Sequence, residues 1–186
     1  MDASIGIDAK AVVANEKDAL KRVAHIHEKI GDSALVEEYV EGREFHVGVI
    51  GNRDPVALPA IEIDFSGLPD GMPHVLDRAA KWEPGTAMFE GTKAFVPELP
   101  DDLRARIQKT AVEAYRALRV RDYGRVDLRV TPTHDVYVIE VNPSCYLEQS
   151  SELAMAARAA GIEYPVLVQQ IVEHAMSRVR ARPQPA

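Results

Sequence analysis

Tyr123-Gly-Arg-Val-Asp-Leu-Arg-Val-Thr131 and Asp135-Val-Tyr-Val-Ile-Glu-Val-Asn142 read as two antiparallel strands joined by the turn-like Pro132-Thr133-His134 and closed by Pro143. A hairpin centred between Thr133 and His134 puts Asp127 opposite Glu140 and Arg125 opposite Asn142. Side chains alternate faces along a strand, so these four share one face. The register therefore gathers carboxylates, an amide and a guanidinium on a single patch. Oxygen donors of this kind suit Mg²⁺ bridging phosphates, and an arginine suits a developing anion. The apolar residues Val126, Leu128, Val130, Val136, Val138, Ile139 and Val141 fit the other face only imperfectly by parity. A plain surface salt bridge on a two-stranded ribbon is the competing reading, and such pairs contribute little.

Composition narrows the classes. The chain has 186 residues, enough for one domain or for a small lobe plus a larger one, and is 46% hydrophobic and 27% charged. A net charge of −7 argues against nonspecific nucleic-acid binding and against an anionic membrane surface. No apolar run approaches the roughly 20 residues that span a bilayer. The acidic start Met1-Asp-Ala-Ser4 is unlike a signal peptide. Cys145 is the single cysteine, which leaves no internal disulfide and no cysteine zinc site, and makes a cytoplasmic location the default. The opening Asp2-Ala-Ser-Ile-Gly-Ile-Asp8 reads as the middle of a glycine loop, so the chain is expected to be a piece of a longer protein.

Outward from the hairpin, periodicity predicts a helix over 16–30, capped by Asn15, with Leu20, Val23, Ile26 and Ile30 on one face. Strands are predicted over Ala34–Val40, Arg43–Ile50 and Val56–Phe65, with turns at Glu41-Gly42 and 51–55. Ser66–Gly91 reads as a long functional loop, mobile without a ligand, and Lys93–Pro97 as a short strand. Pro100–Val120 is a helix with Leu103, Ile107, Ala111, Ala114 and Leu118 apolar. Ser150–Ala160 and Tyr164–Arg180 complete the helices before a proline-containing tail.

Three further segments could carry chemistry. Ala3-Ser-Ile-Gly6 could cradle phosphate with backbone N–H groups, although most such loops are only turns. Glu37-Glu-Tyr-Val40 and Glu44 flank a tight turn whose backbone could read a purine edge while a carboxylate grips hydroxyls; a solvated acidic hairpin is the bland alternative. Lys81, beside Trp82 in the long loop, could meet a phosphate as a point charge, or be solvated. The histidines His25, His27, His46, His74, His134 and His174 show no metal-ligand spacing and read as surface or helix residues. Cys145 reads as a small packing residue, and Arg178, Arg180 and Arg182 as a charge run at a helix C-terminus.

Taken in order, Ala3-Ser-Ile-Gly6, Val36-Glu-Glu-Tyr-Val-Glu-Gly-Arg-Glu44, Lys81, Gly124-Arg-Val-Asp127, Glu140-Val-Asn-Pro143 and Ser150-Ser151 before Ala154-Met-Ala-Ala157 resemble the C-terminal part of an ATP-grasp enzyme of the D-alanine–D-alanine ligase type. The resemblance implies an α+β ATP-grasp fold of antiparallel sheets with packed helices and an incomplete small lobe. It places a partial small ATP-binding lobe in residues 1–40, the C-terminal lobe in 41–182 and a tail in 183–186. It implies an ATP-dependent carboxylate–amine ligase that joins a small carboxylate to an amine through an acyl phosphate. Ser4, Ile5 and Gly6 would then cradle phosphate, and Glu37 would meet the adenine amino group with the backbone of Glu38, Tyr39 and Val40 along the ring. Glu44 would bind ribose and Lys81 the phosphates. Asp127, Glu140 and Asn142 would hold two Mg²⁺ ions, with Mn²⁺ as a substitute, while Arg125 and Ser151 would serve catalysis.

Departures shape the expectation. Tyr146 stands where the family has a glycine that approaches the dipeptide, which points to a substrate other than D-alanine. The family's N-terminal substrate domain and a lysine-bearing strand before the Ser-Ile-Gly loop are absent from this sequence, so an exposed sheet edge and pairing into a homodimer are expected. Besides the ligase, a nucleotide-binding module without full catalysis and a purely structural domain remain readings of the same residues.

Overall fold

The computed structural model describes residues 6–8 and 10–180, and Ser4, Ile5 and Arg182 lie outside the described residues. Two compact units divide the chain, one built from residues 1–40 and 64–93, the other from 41–63 and 94–186.

The second unit is organised on the strand whose alternation is most regular. In β1 (Arg43–Ile50), Phe45, Val47 and Val49 point one way and are fully buried. β1 pairs antiparallel with β2 (Val56–Ala57), β3 (Ile61–Asp64) and β5 (Tyr123–Val130), and β5 pairs with β6 (Val136–Asn142). With β4 (Lys93–Phe95) the order is β4-β3-β1-β5-β6, so β1 and β5 lie inside the sheet. On one face, Phe45, Val47, Val49, Val126, Leu128 and Val130 meet Leu103, Ile107, Ala111 and Tyr115, which line one side of α4 (Asp101–Ala117) at helical spacing. Asp101 and Asp102 in its first turn suit the positive end of the helix dipole.

The other face is covered only in part. Leu153, Ala154, Ala156 and Ala157 of α5 (Glu152–Ala159), with Leu167 and Ile171 of α6 (Tyr164–Arg180), pack over Ile50 and Ile61. Gly48 permits the close approach, since a Cβ there would lie 2.5 Å from Leu153 Cδ1. Cys145 is buried in this cluster, and burial pushes its thiol up to about 11, which fits the packing role read from the sequence. The remaining positions on the face, on β1, β5 and β6, carry polar groups.

The hairpin register is as expected at the polar end, with Arg125 opposite Asn142 and Asp127 opposite Glu140. It is reached differently. Leu128 pairs with Val138 and Val130 with Val136, so the turn centres on Thr133, and a register shift between Asp127 and Leu128 accommodates Ile139 as an extra residue. That bulge resolves the imperfect parity: Val136 and Val141 can both turn toward the α4 core although they are an odd number apart.

The first unit contains α1 (Glu16–Lys29), α2 (Arg78–Trp82) and α3 (Ala87–Glu90). Asn15 caps α1 as expected, accepting from the Asp18 N–H at 3.0 Å, but Leu20 is exposed rather than inward. Ala34–Val40 forms no strand, contrary to expectation; no described strand offers it a ladder, and Leu35 and Val36 stand exposed. Val56–Phe65 is broken into β2 and β3 at Leu58-Pro-Ala60, where Pro59 has no N–H to donate. The long loop over 66–91 holds α2 and α3, capped by Asp77 to the Ala80 N–H at 2.7 Å and by Thr86 to the Phe89 N–H at 3.2 Å.

Arg178 is more than part of a charge run. Its Nη2 donates to Asp122 Oδ2 at 2.7 Å, and Asn52 Nδ2 bonds the other Asp122 oxygen at 3.0 Å, tying α6 to the turn before β5. The hydrogen bond from Arg178 chiefly holds the Asp122 carboxyl below its usual range. A carboxyl depressed by folding contributes stability above its unfolded pKa, near 3.9, and loses that contribution as pH falls through the folded value. Urea titrations of the parent and Asp122→Asn should therefore differ at neutral pH and converge as pH falls below the usual carboxylate range and through the folded value. A constant gap across that range would contradict the assignment.

Gly42, with φ +154°, leads into β1, and a Cβ there would lie 2.1 Å from the Val130 carbonyl oxygen. Gly42→Ala should cost about 1–3 kcal/mol in urea unfolding, since a backbone atom must shift to admit it. An unchanged midpoint would contradict this packing of β1 on β5.

Candidate active site

A row of charge crosses the uncovered part of the sheet face. Glu44 and His46 of β1 stand beside Arg129 and Asp127 of β5, their direct cross-strand partners. Period-two alternation makes the row unavoidable: once Phe45 and Val47 face α4, Glu44 and His46 must face away. All four are buried, Asp127 at 3% exposure and His46 at 2%. Charges removed from water in this way need partners.

Each has them. Arg129 Nη2 lies 3.0 Å from Glu44 Oε2, and Arg129 Nη1 donates to the Gly42 carbonyl at 3.2 Å. His46 Nε2 stands 3.4 Å from Glu44 Oε1 and 3.7 Å from Asp127 Oδ2. Arg125 grips Asp127 with two bonds, Nε to Oδ1 at 2.7 Å and Nη2 to Oδ2 at 2.8 Å, and its Nη1 reaches Glu152 Oε2 at 3.3 Å. Asn142 Nδ2 donates to Asp127 Oδ2 at 3.1 Å. Burial pushes the Asp127 carboxyl up, but His46 and the Arg125 guanidinium beside it outweigh that and hold it at about 2. Asp127 is thus a fixed anion. Arg125 is held above its usual value by Asp127 and then Glu152, against the opposing effect of burial, and is a fixed cation.

The expected cation ligands are therefore together: Asp127, Glu140 opposite it, and Asn142 one pair further along. Among the described residues no three His, Cys, Asp or Glu side chains converge as a metal centre. An all-oxygen set of two carboxylates and an amide fits a hard divalent cation. Ser151 is buried as the N-cap of α5, accepting from the Ala154 N–H at 3.2 Å, and its helix carries the Glu152 that meets Arg125. Glu44 is in the row and paired with Arg129.

The other expected residues belong to the first unit. Gly6 has φ +82° and its carbonyl accepts from Arg22 Nη2 at 2.8 Å. Glu37 and Glu38 are exposed, Tyr39 and Val40 half-buried, and Lys81 half-buried in the last turn of α2. His46 is the residue that reading the sequence missed. Its signal was parity: it shares a face with Glu44 and stands between Phe45 and Val47, so a strand inside a sheet had to bury it.

The family model described as "D-ala D-ala ligase C-terminus" matches residues 1–173. A D-alanine–D-alanine ligase of Desulforudis audaxviator is 33% identical over 175 residues, which are 94% of this chain and 53% of that protein. An uncharacterized protein, y4sG, of Sinorhizobium fredii is 31% identical over 177 residues, 95% of this chain and 50% of that one. The crystal structure of a Bacillus anthracis D-alanine–D-alanine ligase complexed with ATP superposes with a TM-score of 0.68 at 30% identity, covering 90% of this chain and 49% of that chain. The chain thus spans about half the length of the relatives it matches.

Replacing Arg125 by Met should strand the buried Asp127 carboxylate and cost about 3–5 kcal/mol in urea unfolding, the range for breaking a buried ion pair. Arg125→Met with Asp127→Leu should recover most of the loss. A single variant as stable as the parent would show that the pair contributes nothing.

Proposed function

The chain belongs to the D-alanine–D-alanine ligase C-terminal family, with an α+β fold of the ATP-grasp type, and on that premise we propose that it is the nucleotide-binding and catalytic part of an ATP-dependent carboxylate–amine ligase. The observation that carries the reading is the juxtaposition of Asp127, Glu140, Asn142 and Arg125 on one sheet face, with Asp127 kept anionic.

In this reading Asp127, Glu140 and Asn142 hold Mg²⁺, two ions with the nucleotide, and Mn²⁺ substitutes. The bound cations supply neutralising charge to the phosphates during phosphoryl transfer. Arg125, oriented by Asp127 and Glu152, would serve as a donor for oxygens that gain charge when a carboxylate is phosphorylated and an amine attacks. Glu44, ion-paired with Arg129, presents a carboxylate to ribose hydroxyls. Glu37, with the backbone of Glu38, Tyr39 and Val40, reads adenine; Ser4, Ile5, Gly6 and Lys81 serve the phosphates. Ser151 acts by starting α5, which delivers Glu152 to Arg125. Tyr146, bonded to Glu148, stands where a glycine is expected, which favours an acid and amine other than two D-alanines. A cytoplasmic location and a small-molecule partner set, without nucleic acid or membrane, complete the reading. A homodimer is part of the same reading.

A second reading, nucleotide binding without turnover, is favoured by one feature: both Asp127 oxygens already accept from Arg125.

Calorimetric titration of Mg-ATP into the chain should give saturable binding that Glu140→Ala and Asp127→Asn abolish. Binding indifferent to both changes, or none by the parent chain, would refute the site. ADP release that depends on an added amine and a carboxylate supports the ligase; binding with no such release supports the second reading.

A further inference from the structure

The last turn of α4 and the segment after it carry Arg116, Arg119 and Arg121, and α6 brings Arg178 beside them. Together with Asn52 and Tyr115, these arginines line a surface hollow of about 270 Å³. None of them belongs to the charged row of the candidate active site. The local fold puts them there. α4 closes in a Schellman turn: the Val120 N–H donates to the Tyr115 carbonyl at 3.1 Å and the Arg119 N–H to that of Arg116 at 3.0 Å. Arg119 holds the left-handed position of that turn, φ +54°, where glycine is the usual residue. Asp122, at φ +68°, leads the chain into β5, and Asn52 bonds both its N–H and its carboxylate. The arginines thus stand on a well-bonded backbone around one hollow.

We propose that this hollow binds an oligophosphate anion through Arg116, Arg119, Arg121 and Arg178. The charge balance carries the inference. The chain has a net charge of −7, and arginines elsewhere meet acids, as Arg22 does Asp8, Arg43 does Glu62 and Arg129 does Glu44. Arg116, Arg119 and Arg121 are exposed, and among the described residues no carboxylate pairs with them. Glu113, three residues before Arg116 on α4, meets Lys109 at 3.8 Å instead. Asp122 is taken up by Arg178, which donates from Nη2 to Oδ2 at 2.7 Å and from Nε to Oδ1 at 3.3 Å. Like charges therefore gather here in a chain that has acids to spare, which concentrates positive potential at one place. The dipole of α4 accounts for Arg116 in its last turn, but Arg119 and Arg121 lie past the helix end. A guanidinium fork matches phosphate oxygens two at a time. Forks from α4, α6 and the segment before β5 offer more donors than one planar carboxylate accepts, and they suit linked tetrahedral groups. Mg²⁺ neutralises much of an oligophosphate's charge, so the metal-free anion is the ligand.

Calorimetric titration of tripolyphosphate into the chain in metal-free buffer tests the hollow without calling on the proposed cation site. Saturable binding is expected. Arg119→Gln and Arg121→Gln should each weaken it roughly tenfold, the loss expected for one hydrogen bond to a charged group. Arg158→Gln, which removes the same charge from exposed surface on α5, should leave it unchanged. Citrate, which carries its charge on carboxylates, should bind at least roughly tenfold more weakly than tripolyphosphate. In isotopically labelled parent chain, the amide signals of Arg119, Arg121 and Asp122 should shift on titration, while those of Glu44 and Asp127 stay in place. These shifts use the unaltered chain, so they decide the matter even where a variant unfolds. No saturable binding, equal losses in Arg121→Gln and Arg158→Gln, citrate binding as tightly, or shifts centred on the charged row of β1 and β5 would each overturn the proposal. The outcome is independent of whether the chain binds Mg-ATP, so the ligase reading stands or falls separately.

Discussion

Asp127 is an anion held at 3% exposure inside a sheet, and the rest of the polar face follows from keeping it there. A buried carboxylate either neutralises or finds partners. Here Arg125 supplies two hydrogen bonds, Asn142 a third, and His46 a further contact, and their combined effect overcomes burial. Arg125 in turn leans on Glu152, which sits at the start of α5 because Ser151 caps that helix. The short, alanine-rich α5 can lie close to the sheet because Gly48 has no side chain. One ionised group thus connects strand register, helix capping and helix–sheet approach.

The arrangement is not economical as a means of stability. Buried ion pairs are weak evidence of a stability gain, because desolvation consumes much of the attraction. The same sheet has a largely apolar face against α4 that serves stability better. On the proposed reading, a face where guanidinium, imidazole and three carboxylates are lined up beside an uncovered edge serves an anion and its counter-cations rather than stability.

Much of this was legible in the sequence. The pairing of Asp127 with Glu140 and Arg125 with Asn142 followed from a turn signal and a period of two, and it held although the turn centre was placed half a residue too far along. A bulge at Ile139 compensated, and its trace was visible as valines that refused one parity. Burial was harder to read. His46 looked like a surface histidine because spacing rules look for metal ligands, whereas its place between Phe45 and Val47 was the better guide. The strand expected over Ala34–Val40 had the right composition and no partner; propensity cannot supply a ladder. The helices α2 and α3 were hidden in a stretch rich in glycine and proline, being only a turn or so long and set by single capping residues, Asp77 and Thr86.

The central claim is that the polar face of β1, β5 and β6 is where a divalent cation meets the nucleotide. Paramagnetic relaxation tests it directly. With Mn²⁺ and a non-hydrolysable ATP analogue added to isotopically labelled chain, signals of Asp127, Glu140 and Asn142 should broaden first and most, with Arg125 and His46 close behind. Broadening centred elsewhere, or spread evenly over the acidic surface, would contradict the account.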